Sequence, residues 1–581
     1  VTHFNVWAPS AHELSVVLGA AGESGTYPMR STSGGWWSAE VSEAAHGTDY
    51  AFAVDGGEPI PDPRSQWQPH GVNAASRVYD HSRFAWKDPH WRGLALPGAV
   101  LYELHVGTFS PEGTFDGAIA HLDHLAHLGV DAIELLPCNG YAGHHGWGYD
   151  GVDLYTVHEP YGGPDGLKRF VDACHLRGIG VVMDVVYNHL GPDGNYLARF
   201  GPYFTDTHAT PWGTAVNLDD AYSDEVRRFL IDNALMWLRD FRCDGLRLDA
   251  IHELRDDRAF HFLEQLAVEV ESLATMERRP LFLIAESDLN DPRVIRPRIA
   301  GGYGIDAQWC DDVHHALWAT LSGERQGYYE DFGALPVLAK ALNQGFVHDG
   351  GWSSFRKRSH GRRPLGAKAP QFVTYLQDHD QVGNRAVGDR AAATLSDGLL
   401  CAGAALLLLS PFTPMIFMGE EWGARTPWQF FSDHSAELGR AVSEGRRREF
   451  AEHGWMTDEI PDPQDPATFR ASKLDWNEPR TSRGRRLLQW YQQLIALRRA
   501  EPALTEQQLG QAWFHYDEID CWFVVWRGQE DGESVAVAVN LADQPRDVPV
   551  WGELLLSSAE VTPVEGGYSL PGESVAVVRA S

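Results

Sequence analysis

The sequence predicts an α/β chain: a (β/α)8 TIM barrel with an N-terminal immunoglobulin-like β-sandwich and a C-terminal antiparallel β domain. Three observations predict it. Between about residues 98 and 502, eight apolar, β-rich runs alternate with helical patterns, as parallel strands covered by helices must. Short alternating segments broken by Gly and Pro flank this region on both sides. The 581 residues also exceed what one hydrophobic core organises. The expected units are 1–88, 89–503 and 504–581.

In order along the chain, Phe4-Asn5-Val6-Trp7, Leu14-Ser15-Val16-Val17-Leu18 and Tyr50-Ala51-Phe52-Ala53-Val54 read as strands of the first unit. A polar, Pro-bearing passage over 61–89 carries the chain onward. The barrel strands are expected at 100–106, 132–136, 180–186, 245–249, 281–286, 307–310, 372–376 and 415–418. A helix is expected over 224–240, where Val226, Phe229, Leu230, Ala234, Trp237 and Leu238 form an apolar stripe. Another is expected over 485–499. Eight such units favour a closed barrel, although periodicity alone also admits an open doubly wound sheet. Cys521-Trp522-Phe523-Val524-Val525-Trp526 and Val535-Ala536-Val537-Ala538-Val539 then read as strands of the last unit.

Composition excludes several classes of function. Eighty Asp and Glu against 48 Lys and Arg give a formal charge of −32, which repels nucleic acid phosphates and anionic membranes. A neutral substrate fits, and 21 Trp with 19 Tyr supply faces on which sugars stack. The six cysteines form no Cys-x-x-Cys pair, so neither zinc nor a disulfide framework is expected. Reduced thiols and an N-terminus without a secretory pattern point to the cytoplasm. The apolar stretch 399–419 is interrupted by Ser410-Pro411-Phe412-Thr413-Pro414, well short of a membrane span, and reads as a buried helix, a turn and a buried strand. His144 and His145 lack a third metal ligand, His252-Glu253 lacks the second histidine of a zinc protease helix, and no calcium loop is present. No metal, no cofactor, and a monomer are expected.

Reactive groups of such a barrel sit at the C-terminal ends of its strands, so the residues that end the runs are the candidates. Acids dominate them: Asp184 in Val182-Met183-Asp184, Asp249 in Arg247-Leu248-Asp249, Glu286 in Ile284-Ala285-Glu286, and Asp380 in Asp378-His379-Asp380. In these four segments, in this order, the chain resembles the α-amylase superfamily of glycoside hydrolases. The resemblance implies that Asp249 is the nucleophile, Glu286 the general acid/base, and Asp380 the carboxylate that distorts and stabilises the sugar. Retaining hydrolysis needs such a pair, one carboxylate ionised and one carboxyl protonated. Arg247 lies two residues before Asp249 on the same strand face and would keep it ionised, while an apolar run before Glu286 would raise its pKa. His189 and His379 resemble the superfamily's hydroxyl-binding histidines, and Tyr149 its stacking tyrosine. Asp184 is expected to hold the barrel end more than to do chemistry.

Pro211-Trp212-Gly213 through Asp219, and Met418-Gly419-Glu420-Glu421-Trp422-Gly423-Ala424 followed by Thr426 to His434, are similar to segments of maltooligosyltrehalose trehalohydrolases. That resemblance implies cleavage of the α-1,4 bond beside the terminal trehalose of a maltooligosyl trehalose, with His252, Glu253 and Asp219 around the leaving trehalose. Glycogen branching enzymes share the same acids and remain the alternative. A non-catalytic glucan-binding barrel is the remote reading, opposed by the presence of all three acids.

Overall fold

The computed structural model describes residues 1–19, 25–452, 459–505, 507–528 and 533–580. Eight parallel strands close a barrel: β1 (Leu101–Leu104), β2 (Ala132–Leu135), β3 (Gly180–Val185), β4 (Gly245–Leu248), β5 (Phe282–Ala285), β6 (Ala307–Trp309), β7 (Phe372–Tyr375) and β8 (Thr413–Phe417). The ring shuts where β8 pairs with β1, Met415 opposite Leu101. The alternative of an open sheet is thereby overturned. Every strand is buried along its whole length, which is why each reads as a largely apolar run.

Alternation along the strands divides their side chains. Leu101, Ala132, Val182, Ile284, Ala307, Val373 and Met415 fill the interior as one cluster, while their neighbours face the surrounding helices. Gly245 opens β4 because a Cβ there would lie 2.4 Å from the Phe282 ring.

Among the helices outside the ring are α1 (Gly163–His175), α2 (Ser223–Arg239), α3 (Phe262–Glu277), α4 (Asp311–Ser322), α5 (Asp397–Leu408) and α6 (Ser482–Ala500). The whole stripe foreseen for α2 is buried. The stretch 399–419 resolves into α5, capped by Ser396, then a turn and β8. Among the described residues no helix is long and apolar enough to cross a membrane. One unit departs from the repeat: between β5 and β6 the described chain forms only the short 3-10 turn Arg298–Ala300, where Pro292 and Pro297 remove backbone donors that a helix needs.

At the N-terminus two small antiparallel sheets form, one of three strands including Thr2–Trp7 and Trp36–Val41, the other of four including Leu14–Leu18 and Asp49–Val54. At the C-terminus a five-stranded antiparallel sheet built around Trp522–Gly528, Ser534–Asn540 and Ser574–Ala580 lies beside a three-stranded one.

Candidate active site

The C-terminal ends of β3, β4, β5 and β7 deliver four acids to one end of the barrel, and Arg247 ties three of them together. It occupies β4 with its side chain fully buried, so its charge must be met by partners. Nη1 donates to Asp249 Oδ1 at 2.6 Å and to both oxygens of Asp184 at 3.0 Å, while Nη2 lies 3.9 Å from Glu286 Oε2. The guanidinium packs 4.3 Å from the centre of the Trp309 ring.

Asp249 is held on both sides, since its Oδ2 accepts from Asn188 Nδ2 at 2.9 Å. Directly after it the backbone turns left-handed at Ala250, with φ of 38°, a conformation a residue with a Cβ rarely adopts. The turn aims the Ala250 N–H at Glu286 Oε2, 2.6 Å away. Burial raises the Glu286 pKa to about 8; Arg247 opposes that rise, and Asp249, Asp311 and Asp380 add to it. Burial likewise takes Asp184 to about 6 against the pull of Arg247.

His379 follows β7. Its Nδ1 donates to Glu103 Oε1 at 2.6 Å, and its backbone N–H donates to Glu103 Oε2 at 2.9 Å. Nε2 faces the Tyr149 hydroxyl at 2.8 Å, and that hydroxyl donates to Asp184 Oδ2 at 2.7 Å. Both ring nitrogens therefore act as donors. Burial works against a charged ring, yet Asp380 and Glu103 outweigh it and raise the His379 pKa to about 10. Tyr149 and His379 stack at 5.2 Å. Asp380 itself is open, its side chain 45% exposed, with His379 Nε2 3.7 Å from Oδ2 and Asn384 Nδ2 3.2 Å from Oδ1.

Residues 73–206 match the alpha amylase catalytic domain, 1–67 carbohydrate-binding module 48 (isoamylase N-terminal domain), and 514–577 a domain of unknown function. Over 581 residues the chain is 55% identical to the malto-oligosyltrehalose trehalohydrolase of Arthrobacter ramosus, covering 99% of each chain. The chain belongs to the malto-oligosyltrehalose trehalohydrolase family. A second trehalohydrolase, from Rhizobium sp., is 50% identical over 99% of this chain and 97% of its own. A branching enzyme from Corynebacterium jeikeium stands much further off, at 29% over 73% of this chain and 61% of its own. Among solved structures, a provisionally assigned alpha amylase from Salmonella typhimurium superposes with a TM-score of 0.91 at 37% identity, covering 100% of this chain and 97% of that one.

Around the acids of this trehalohydrolase-family chain, the remaining candidates divide. His189 is stacked under the half-exposed Trp212 at 4.4 Å, placing the tip of the Phe204–Thr210 and Gly213–Val216 hairpin over the site. His252 and Glu253 form a short turn right behind Ala250, where Glu253 pairs with Arg255 at 2.8 Å. Asp219 is bound to His208 Nε2 at 2.9 Å and to the Asp257 N–H at 2.8 Å, so it pins two loops together.

Sequence reading missed Glu103, Asn188, Trp309 and Asp311. Glu103 stands in an otherwise apolar strand, 1% exposed, and a charge inside such a run is itself a signal of a buried partner. Asp311 opens α4 two residues past the end of β6, and accepts a short hydrogen bond from Tyr375; burial raises its pKa to about 6. Asn188 and Trp309 carry no signal of their own, because what they touch is set by strands far away in sequence.

Proposed function

We propose that this chain hydrolyses the α-1,4 bond beside the terminal trehalose of a maltooligosyl trehalose with retention, through Asp249 as nucleophile and Glu286 as general acid/base. One observation carries the reading: a single buried guanidinium meets Asp249 on one nitrogen and approaches Glu286 on the other, while Glu286 holds its proton up to about pH 8.

Glu286 gives its proton to the glycosidic oxygen as trehalose departs, and the fixed Oδ of Asp249 bonds to the anomeric carbon. Glu286, now a carboxylate, takes a proton from water; the water oxygen replaces Asp249 on that carbon, and both acids return to their first state. Charged His379 and open Asp380 bind hydroxyls of the attacked sugar, with Tyr149 as the ring beneath it. Asp184 and Arg247 act by holding Asp249, and His189, His252, Glu253 and Asp219 shape the walls. No step calls for a metal or cofactor.

Further parts of the reading are a division at 1–88, 89–503 and 504–581, a monomeric chain, and a reducing cytoplasmic setting in keeping with six free cysteines. The test is product analysis after incubation with maltotriosyl trehalose and, separately, amylose. Trehalose from the first and little change in the second is expected; new α-1,6 links in amylose would favour a branching enzyme instead.

A further inference from the structure

Residues 1–67 match a carbohydrate-binding module, yet none of the described Trp, Tyr or Phe residues of 1–88 is strongly exposed. Sugar rings are held by stacking on an aromatic face with polar groups at the edge, so this unit lacks a plate of its own. The barrel supplies one at the seam. Tyr222, just before α2, is 64% exposed and borders a cleft of about 670 Å³ between the two units, a size that suits a small ligand. Ser10 and Asp55 enter the cleft from the N-terminal unit, and Arg199, Asp206 and Thr207 from the barrel.

Two features set this place apart from ordinary surface. Tyr222 holds φ at 66°, a left-handed conformation that costs a bulky aromatic residue energy, and presents its ring to solvent while doing so. Arg199 and Asp206 form no ion pair among the described residues, leaving one donor group and one acceptor group with opposite charges. With Asp55 and Asp220 the lining carries three carboxylates against the one guanidinium of Arg199, so it repels anions and offers a sugar's hydroxyls many acceptors and one charged donor. One wall is the strand Phe204–Thr210, whose hairpin carries Trp212 over His189, so the cleft and the catalytic end of the barrel share a single element.

We propose that this seam binds a stretch of α-1,4-glucan a few glucose units long, outside the catalytic cleft, with Tyr222 as its stacking plate. It rests on the reading that the chain acts on α-glucans and assigns the N-terminal unit a site that only the barrel completes. The seam holds a second part of a long chain, or a neighbouring chain, and so raises affinity for long glucans while leaving short substrates untouched.

The test is affinity electrophoresis in gels containing glycogen, together with kcat/KM on maltotriosyl trehalose, for the parent and for Tyr222→Ala, Tyr222→Gly and Tyr222→Trp. Retention by glycogen falls at least about fivefold in the Ala and Gly variants and persists in Trp, as loss of one stacked ring requires. Tyr222→Gly also relieves the backbone strain, so its Tm does not fall, which separates lost binding from lost folding. Activity on the short substrate stays within about twofold of the parent in all three. Unchanged retention of Tyr222→Ala, or a parent that cleaves maltotriosyl trehalose but ignores glycogen, would overturn the seam site and leave the catalytic reading standing. Loss of trehalose release by the parent would instead remove the reading beneath it.

Discussion

Arg247 on β4 and Asp249, the first residue past its end, stand two residues apart and meet at 2.6 Å at the end of the barrel interior. A strand fixes this pairing without help from the rest of the fold, and the rest of the fold then brings Asp184, Asn188 and Glu286 to the same two side chains.

Asp249→Ala and Glu286→Gln each lower kcat on maltotriosyl trehalose by roughly a thousandfold or more, because neither group has a neighbour placed to replace it. Far-UV circular dichroism of both stays that of the parent. Turnover within tenfold of the parent in both variants removes the assignment.

The pH dependence follows from Glu286. Its pKa is raised to about 8, so the acid form, the one proposed to protonate the leaving oxygen, is present below that value and lost as pH rises through it. The kcat/KM profile therefore falls on its alkaline side near pH 8. A profile flat to pH 10 contradicts the role given to Glu286.

The same shift carries a stability consequence with a fixed sign. A carboxyl whose folded pKa lies above its unfolded value costs nothing below the unfolded pKa, and destabilises increasingly as pH climbs toward 8. Glu286→Gln removes that cost, so its Tm exceeds the parent's at pH 8 and the gap narrows toward pH 4.5. Calorimetry at the two pH values checks it; a gap that widens on acidification is the opposite result.

Glu103→Gln tests a residue that acts through another. The carboxylate supports the proton on His379, whose pKa is raised to about 10 against burial. Its removal lowers that pKa and brings His379 titration toward the assay range, adding a second descending limb to kcat/KM below that of Glu286. A merely structural role would lower Tm and leave the profile unchanged.

How far the sequence could be read depended on whether a feature was local. All eight barrel strands fall where the apolar runs lie, because burial on both faces favours apolar residues along most of their length. The acids at strand ends were legible for the same reason, their positions being set by the run they terminate. Glu103 against His379 and Trp309 under Arg247 join residues whose meeting depends on ring closure, which no local pattern encodes. The missing helix between β5 and β6 was foreshadowed by Pro292 and Pro297, yet the count of eight runs suggested a full repeat. The partners of Asp219, His208 and the Asp257 backbone, are likewise brought in by loops whose course periodicity does not determine.

The most direct test is to trap the covalent intermediate with a 5-fluoro-α-glucosyl fluoride and locate the added mass by peptide sequencing. A glycosyl ester on Asp249 is the expected result. Labelling of Glu286, Asp380 or Asp311 in its place would contradict the account.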